Sequence, residues 1–232
     1  MSIASNLAKT KDSILKTARS CGRDPRDIKL VAVSKRQPIA AMQEAMEAGH
    51  FLFGENYIQE AVKKRGELSR DAKIHFIGHV QSNKAKQAAE HFSMVETVDR
   101  FKLARSLNNH LERLDRTLDI LLQVNIGNDP GKSGIPPEKT EELLRDIAGL
   151  SRLRPLGLMT IPPRSQEEDG ARIHFRNLRI LGEELAAREL FFDNNRVELS
   201  MGMTQDFTTA IEEGATIVRV GTAIFGMRPP LP

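Results

Sequence analysis

A single (β/α)8 TIM-type barrel with an extra N-terminal helix is the α/β fold class that this sequence predicts. Three observations carry that reading. Eight short apolar runs alternate with helical stretches along the chain, which points to a parallel sheet. The 232 residues are close to the usual size of a closed barrel with eight such units. No GxGxxG follows any of the runs, which disfavours the competing open, doubly wound sheet. No Gly/Ser-rich linker or shift in composition divides the chain, so residues 1–232 read as one domain.

Residues 2–20 read as the extra helix, with Ile3, Leu7, Ile14 and Ala18 on one face. The first four strands are "IKLVAVS" from Ile28, "FLF" from Phe51, "KIHFIG" from Lys73 and "SMVETV" from Ser93. The last four are "LDILLQVNI" from Leu118, "RPLGLMTI" from Arg154, "VELS" from Val197 and "TIVRVG" from Thr216. Helix ends carry their own signals. Asn56 with Gln59, and Ser165 with Glu168, have the spacing of capping boxes. Asp99 and Ser82 are candidate N-caps. Pro136-Pro137 suits a helix start. Gly49 and Gly214 stand where a glycine ends a helix.

Composition narrows the function. The balance of 34 basic and 31 acidic residues is nearly even. The densest basic run, Lys63-Lys64-Arg65, reads as a solvated helix face. Aromatics make up 5% with no Trp, too few for a base-stacking platform, so nucleic acid is not an expected partner. Cys21 is the only cysteine, which excludes an intrachain disulfide and a thiolate zinc cluster. The N-terminal stretch lacks the apolar centre of a signal peptide, and no apolar run approaches a membrane span. A cytoplasmic protein with no membrane contact is the expectation.

In a barrel of this kind the active site lies at the C-terminal ends of the strands, often with a phosphate held after strands seven and eight. Three places fit. Val31, Val33 and Lys35 share a face by the strand period of two, so Lys35 stands at the barrel mouth if the valines point inward. Low-dielectric walls disfavour an ammonium, and a neutral amine can attack an aldehyde to form a Schiff base. A solvated lysine just past a strand is the bland alternative. "LSMGMT" ends strand seven. There Ser200 supplies a hydroxyl, Gly202 allows close backbone approach, and Thr204 could cap the next helix. A plain strand-to-helix turn is the alternative. "IVRVGTAIFG" brings Arg219 and Gly221 onto one face with Ile217, followed by Thr222. An arginine in an apolar strand needs a partner, and Glu198 on the neighbouring strand is one candidate. An amine, a phosphate cradle and a ring-facing cation on one rim together suggest pyridoxal 5′-phosphate (PLP), which has an aldehyde, a phosphate and a pyridine nitrogen.

Several motifs also carry a family resemblance. "AVSK" (32–35), "FGENYIQE" (53–60), "HFIGHVQSNK" (75–84), "KSGI" (132–135), "GLMTI" (157–161), "LSMGM" (199–203) and "VRVGTAIFG" (218–226) occur in order across almost the whole chain. Together they resemble the YggS/PROSC family of PLP-homeostasis proteins, which is similar to the barrel domain of alanine racemase without that enzyme's second, β-rich domain. The resemblance implies that Lys35 is the Schiff-base lysine. It implies that Ser200, Gly202, Gly221 and Thr222 hold the phosphate, that Arg219 faces the pyridine nitrogen, and that Asn56 lies against the cofactor. His79, Ser82, Asn83 and Lys84 would line the rim more loosely. His75 and His79, without carboxylate support, read as structural, and Met159 as core. Lys132 stands where the family has a lysine after strand five, with an exposed loop residue as the alternative. Val80 replaces a usual leucine.

Arg219 bears on what the cofactor could do. A strong electron sink needs a protonated ring nitrogen, usually held by a carboxylate, and an arginine cannot accept that proton. Racemisation also needs a second acid/base, and Tyr57 is the only tyrosine. The leading expectation is a PLP carrier or buffer with little or no catalysis, apo PLP-dependent enzymes as candidate recipients, and a monomer or weak dimer as its state. A PLP-dependent amino-acid racemase and a cofactor-free barrel aldolase using Lys35 remain open alternatives.

Overall fold

All eight apolar runs form strands. A computed structural model describes residues 2–163 and 170–227. The strands are β1 (Lys29–Val33), β2 (Leu52–Glu55), β3 (Lys73–Phe76), β4 (Met94–Val98), β5 (Leu118–Gln123), β6 (Leu153–Met159), β7 (Glu198–Ser200) and β8 (Ile217–Val220). Each pairs in parallel with the next, and β8 returns to β1, so the barrel closes in sequence order. The helices among the described residues are α1 (Ile3–Ser20), α2 (Ile39–Glu47), α3 (Ile58–Arg65), α4 (Ala85–His91) and α5 (Phe101–Arg113), then α6 (Thr140–Ile147), α7 (Arg172–Ala187), α8 (Phe207–Glu212) and α9 (Thr222–Phe225).

The period of two sorts the strand residues into two cores. Leu30, Ala32, Phe53, Ile74 and Phe76 face the helices and join one large cluster. Val31, Met94, Leu121, Met159 and Ile217 form a smaller cluster inside the barrel. Met159 is therefore core, as expected. Burying one such side chain stabilises by roughly 1.5–3 kcal/mol, an upper value because the unfolded chain is partly compact. Pro155 is tolerated in β6 because the β5–β6 register shifts beside it, between Ile120 and Leu121.

The extra helix packs on the outside of the barrel. Leu7, Ile14 and Ala18 are buried, and α1 packs on α2, α8 and α9. Asn6 Nδ2 donates to the Ile224 carbonyl at 3.0 Å, and Arg23, just past the helix, donates to the carbonyls of Ile211 and Ala215 at 2.7 and 2.8 Å. The first and last units of the barrel are tied together by these contacts.

Several helix-end expectations are corrected. Asn56 does not cap α3. Tyr57 holds the N-cap position without a side-chain bond, and Asn56 Oδ1 is buried with no partner. Asp99 pairs with Arg100, which precedes α5. Ser82 begins a 3-10 turn, Ser82–Lys84, instead of capping α4. Thr204 does not cap α8. Asp206 stands at its N-cap, and the Asp206 carboxylate accepts the Met203 N–H at 2.6 Å. The Ser165–Glu168 pair lies outside the described residues. Pro137 opens a 3-10 turn that runs into α6. Gly49 and Gly214 have φ of 75° and 105°, as helix-ending glycines require. The Lys63–Arg65 run is solvated only in part, since Lys63 is exposed and Lys64 is buried. No helix among the described residues is long and apolar enough to cross a membrane.

Candidate functional site

The strand ends of β1 and β8 and the turn after β7 enclose a cavity of about 340 Å³ at the mouth of the barrel. That volume falls in the range of small-molecule sites, roughly 300–1,000 Å³. Lys35, Asn56, Arg219, Gly221 and Thr222 all line it, together with Thr204 and Asp206. Val33, Ile77 and Ile161 supply apolar wall. Lys35 thus stands two residues beyond inward-facing Val33, as the strand period predicts. Thr204 and Thr222, from the turns after β7 and β8, bring their hydroxyls to 3.3 Å from each other. Gly221 packs closely against β1. A side-chain carbon there would sit 3.3 Å from both the Cβ and the carbonyl oxygen of Val33.

Ser200 and Gly202 lie beneath this surface. Gly202 has a φ of 89°, and a Cβ there would come within 2.5 Å of Ala210 Cβ. Its carbonyl accepts the Arg219 N–H at 3.0 Å. Ser200 is fully buried with its hydroxyl engaged, accepting from Arg219 Nη1 at 2.5 Å and donating to Glu96 Oε2 at 2.5 Å. That hydroxyl supports Arg219 and does not face the cavity.

Glu96 is the site residue that sequence reasoning missed, and it corrects the expected partner of Arg219. Arg219 Nη1 lies 4.0 Å from Glu96 Oε2, and Nη2 donates to the Thr160 carbonyl at 2.8 Å. Glu198 instead pairs with Lys29 at 2.5 Å and accepts from Thr216 at 2.7 Å. His75 Nδ1 lies 2.7 Å from Glu96 Oε1, so His75 does have a carboxylate beside it, contrary to expectation. The result is an interior line His75–Glu96–Ser200–Arg219 drawn from β3, β4, β7 and β8. Burial alone would push Glu96 up. The His75 hydrogen bond and charge, then Arg219 and Ser200, outweigh it and hold the carboxyl below its usual range. Burial likewise pulls Arg219 down from its usual value, against the pull of Glu96 and then Asp206. A signal for Glu96 was present: like Arg219, it is an ionisable residue inside an apolar strand, two positions from inward Met94.

The looser rim residues divide. Tyr57, His79, Gln81 and Lys84 line a second groove that shares Asn56 with the first cavity. His79 is 3.8 Å from Asp99. Ser82 and Asn83 lie in the 3-10 turn and line neither cavity. Lys132 is half-buried and donates to the carbonyls of Ile161 and Pro162. No cluster among the described residues could hold a metal ion.

The chain matches the family described as alanine racemase, N-terminal domain, over residues 6–229. A protein of Pseudomonas aeruginosa named pyridoxal phosphate homeostasis protein is 44% identical over 228 residues, covering 97% of this chain and 96% of that one. Its namesake in Escherichia coli is 41% identical over 230 residues, with 97% of each chain covered. This chain belongs to the pyridoxal phosphate homeostasis protein family. Among solved structures, PipY of Synechococcus elongatus without PLP overlays with a TM-score of 0.86 at 37% identity, covering 97% of this chain and all of that one. PipY with PLP bound overlays with a TM-score of 0.84 at 36% identity. An alanine racemase of Clostridium difficile overlays at 0.73 with 13% identity, covering 95% of this chain and 57% of that one, a likeness of fold alone.

Proposed function

We propose that this chain binds pyridoxal 5′-phosphate at the barrel mouth and acts as a carrier in its intracellular homeostasis, with little or no catalysis. The observation that carries this reading is the convergence of Lys35, Asn56, Arg219 and Thr222 on one cavity, in a chain of this family. The residues fit the group. Lys35 would meet its aldehyde and Arg219 its ring nitrogen. Gly221 and Thr222 would seat the phosphate, joined by the Thr204 hydroxyl, while Gly202, beneath the surface, shapes the turn that carries Thr204. Ser200 would act through Arg219. Asn56, which lines the same cavity, would lie against the cofactor.

Bound, the cofactor would supply an aldehyde, and Lys35 is the residue whose amine would hold it. The remaining roles belong to the chain. Val33, Ile77 and Ile161 give the cavity apolar wall. Arg219 carries only N–H donors, so it would meet the ring nitrogen at its lone pair and disfavour protonation there, which leaves the ring a weak electron sink. Tyr57 lies in the neighbouring groove and is 52% exposed, so it is poorly placed as an opposing acid/base.

The test is the near-visible absorbance of the purified protein with added PLP, before and after borohydride, alongside Lys35→Ala. A band that is lost on reduction and absent from the variant is expected. A colourless wild type that takes up no PLP would sink the reading. Rapid exchange of an amino acid's α-proton with deuterated solvent would replace the carrier by a racemase.

A further inference from the structure

The layer between the barrel and α3 holds a charged cluster that helix-on-sheet packing does not need. Glu55 lies on the outward face of β2, and Lys64 lies on the barrel side of α3 with Ile58 and Ala61. Both are buried, with exposures of 0% and 7%. Glu55 Oε1 accepts from Ser34 Oγ at 2.7 Å and from Lys64 Nζ at 2.8 Å, while Glu55 Oε2 is buried without a partner. Lys64 Nζ also donates to the Ser34 carbonyl at 2.8 Å and lies 2.6 Å from Glu60 Oε1. That Glu60 oxygen accepts the Arg36 N–H at 2.6 Å. A buried ion pair is a poor stability device, since well-packed apolar residues usually match it or do better.

What the cluster grips gives it a purpose. Ser34 and Arg36 flank Lys35. The Gln37 N–H donates to the Ser34 carbonyl at 3.0 Å and closes a four-residue turn with Lys35 in its second position. Arg36, in the third, has a φ of 61°, a left-handed backbone that such a turn ordinarily gives to glycine. A non-glycine residue keeps that conformation only where its surroundings impose it. Here Glu60 holds the peptide after Lys35 and Lys64 holds the one before it.

We propose that Glu55, Glu60 and Lys64 are positioning residues, a buried ionic clamp that keeps the 34–37 turn shaped so that Lys35 projects into the cavity. The inference rests on the PLP reading for what Lys35 does, and not for how it is held. The variants are Glu60→Ala and Lys64→Met. They are read by amide exchange at Gln37, by trace acetylation of Lys35 relative to the other lysines, and by the rate of PLP uptake.

Faster Gln37 exchange, altered Lys35 acetylation and at least about tenfold slower uptake are expected, because small misplacements of a reacting group are costly. Arg36→Gly added to Glu60→Ala should restore most of the uptake, since glycine adopts the turn without the clamp. Leu178→Ala, a core change on α7, serves as the control for simple destabilisation and should leave Lys35 acetylation unchanged. Wild-type acetylation and uptake in both clamp variants would overturn the proposal. Should Lys64→Met fail to fold, the partly exposed Glu60 decides through Glu60→Ala and Glu60→Gln. If the wild type takes up no PLP, the cofactor reading falls, and Gln37 exchange with Lys35 acetylation alone judges the clamp.

Discussion

Arg219 and Glu96 place opposite charges inside a barrel, at 3% and 0% exposure. Each is tolerable only because the other is present and Ser200, Thr160 and His75 take up the remaining bonds. Glu96→Gln removes one charge and strands the other, which should cost about 3–5 kcal/mol in urea unfolding. The pH dependence follows from the directions of the shifts. Glu96 is held below its usual range in the fold, so its contribution is present above the unfolded value and is lost as pH falls through the lower folded one. Glu55 has the opposite sign. Burial raises it, against Lys64 and Ser34, so its contribution is present below the unfolded value and is lost as pH rises through the raised one. On acidification Glu55 takes its proton before Glu96 does. Urea midpoints measured between about pH 3 and pH 5 should fall steeply for the wild type and much less for Glu96→Gln. Equal slopes would remove Glu96 from the acid limb.

Strand β7 and helix α8 are joined by a turn that depends on Gly202. Its φ of 89° and the 2.5 Å that would separate an added Cβ from Ala210 Cβ work against any side chain. Gly202→Ala should therefore cost at least about 1–3 kcal/mol, from strain and overpacking together. Adding Ala210→Gly should relieve the contact with Ala210 and leave the backbone strain and the 3.0 Å contact with Phe207 Cα. Urea unfolding of the double variant is read against Ala210→Gly alone, since a glycine inside α8 itself costs about 1 kcal/mol. Gly157 serves the same need between strands, since a Cβ there would lie 1.9 Å from the Glu198 carbonyl oxygen. Elements were the most legible scale in the sequence. Alternating apolar runs placed every strand, because burial of a face repeats with the backbone's own period. Caps were the least legible. The capping spacing at Asn56 was present, but the turn after β2 instead directs that side chain to the cavity side.

Closure is the property of the whole molecule, and α1 secures it from outside by binding the first and last units at once. Leu7 is 1% exposed in that seam. Leu7→Ala should cost about 2–5 kcal/mol while leaving PLP uptake at the wild-type rate, because the seam lines neither cavity at the barrel mouth. A single cooperative unfolding transition with a lower midpoint is the expected result. A split transition would mean that the helix and barrel are not one unit.

The sequence by itself determined the barrel and brought Lys35, Asn56, Arg219, Gly221 and Thr222 to its mouth. Hydrophobic period, glycine placement and strand-end position are local signals that survive without coordinates. It also marked Arg219 as a charge needing a partner. Only the tertiary structure decided which partner. Glu96 and Arg219 are far apart in the chain and meet because closure brings inward faces of non-adjacent strands together. The same holds for Lys64, whose neighbours along the chain read as solvated surface. Its burial against Ser34 and Glu55 exists only once α3 lies on the outside of β1 and β2. Charge pairing across a barrel is a matter of three-dimensional distance and low dielectric, and neither is written in the order of the residues.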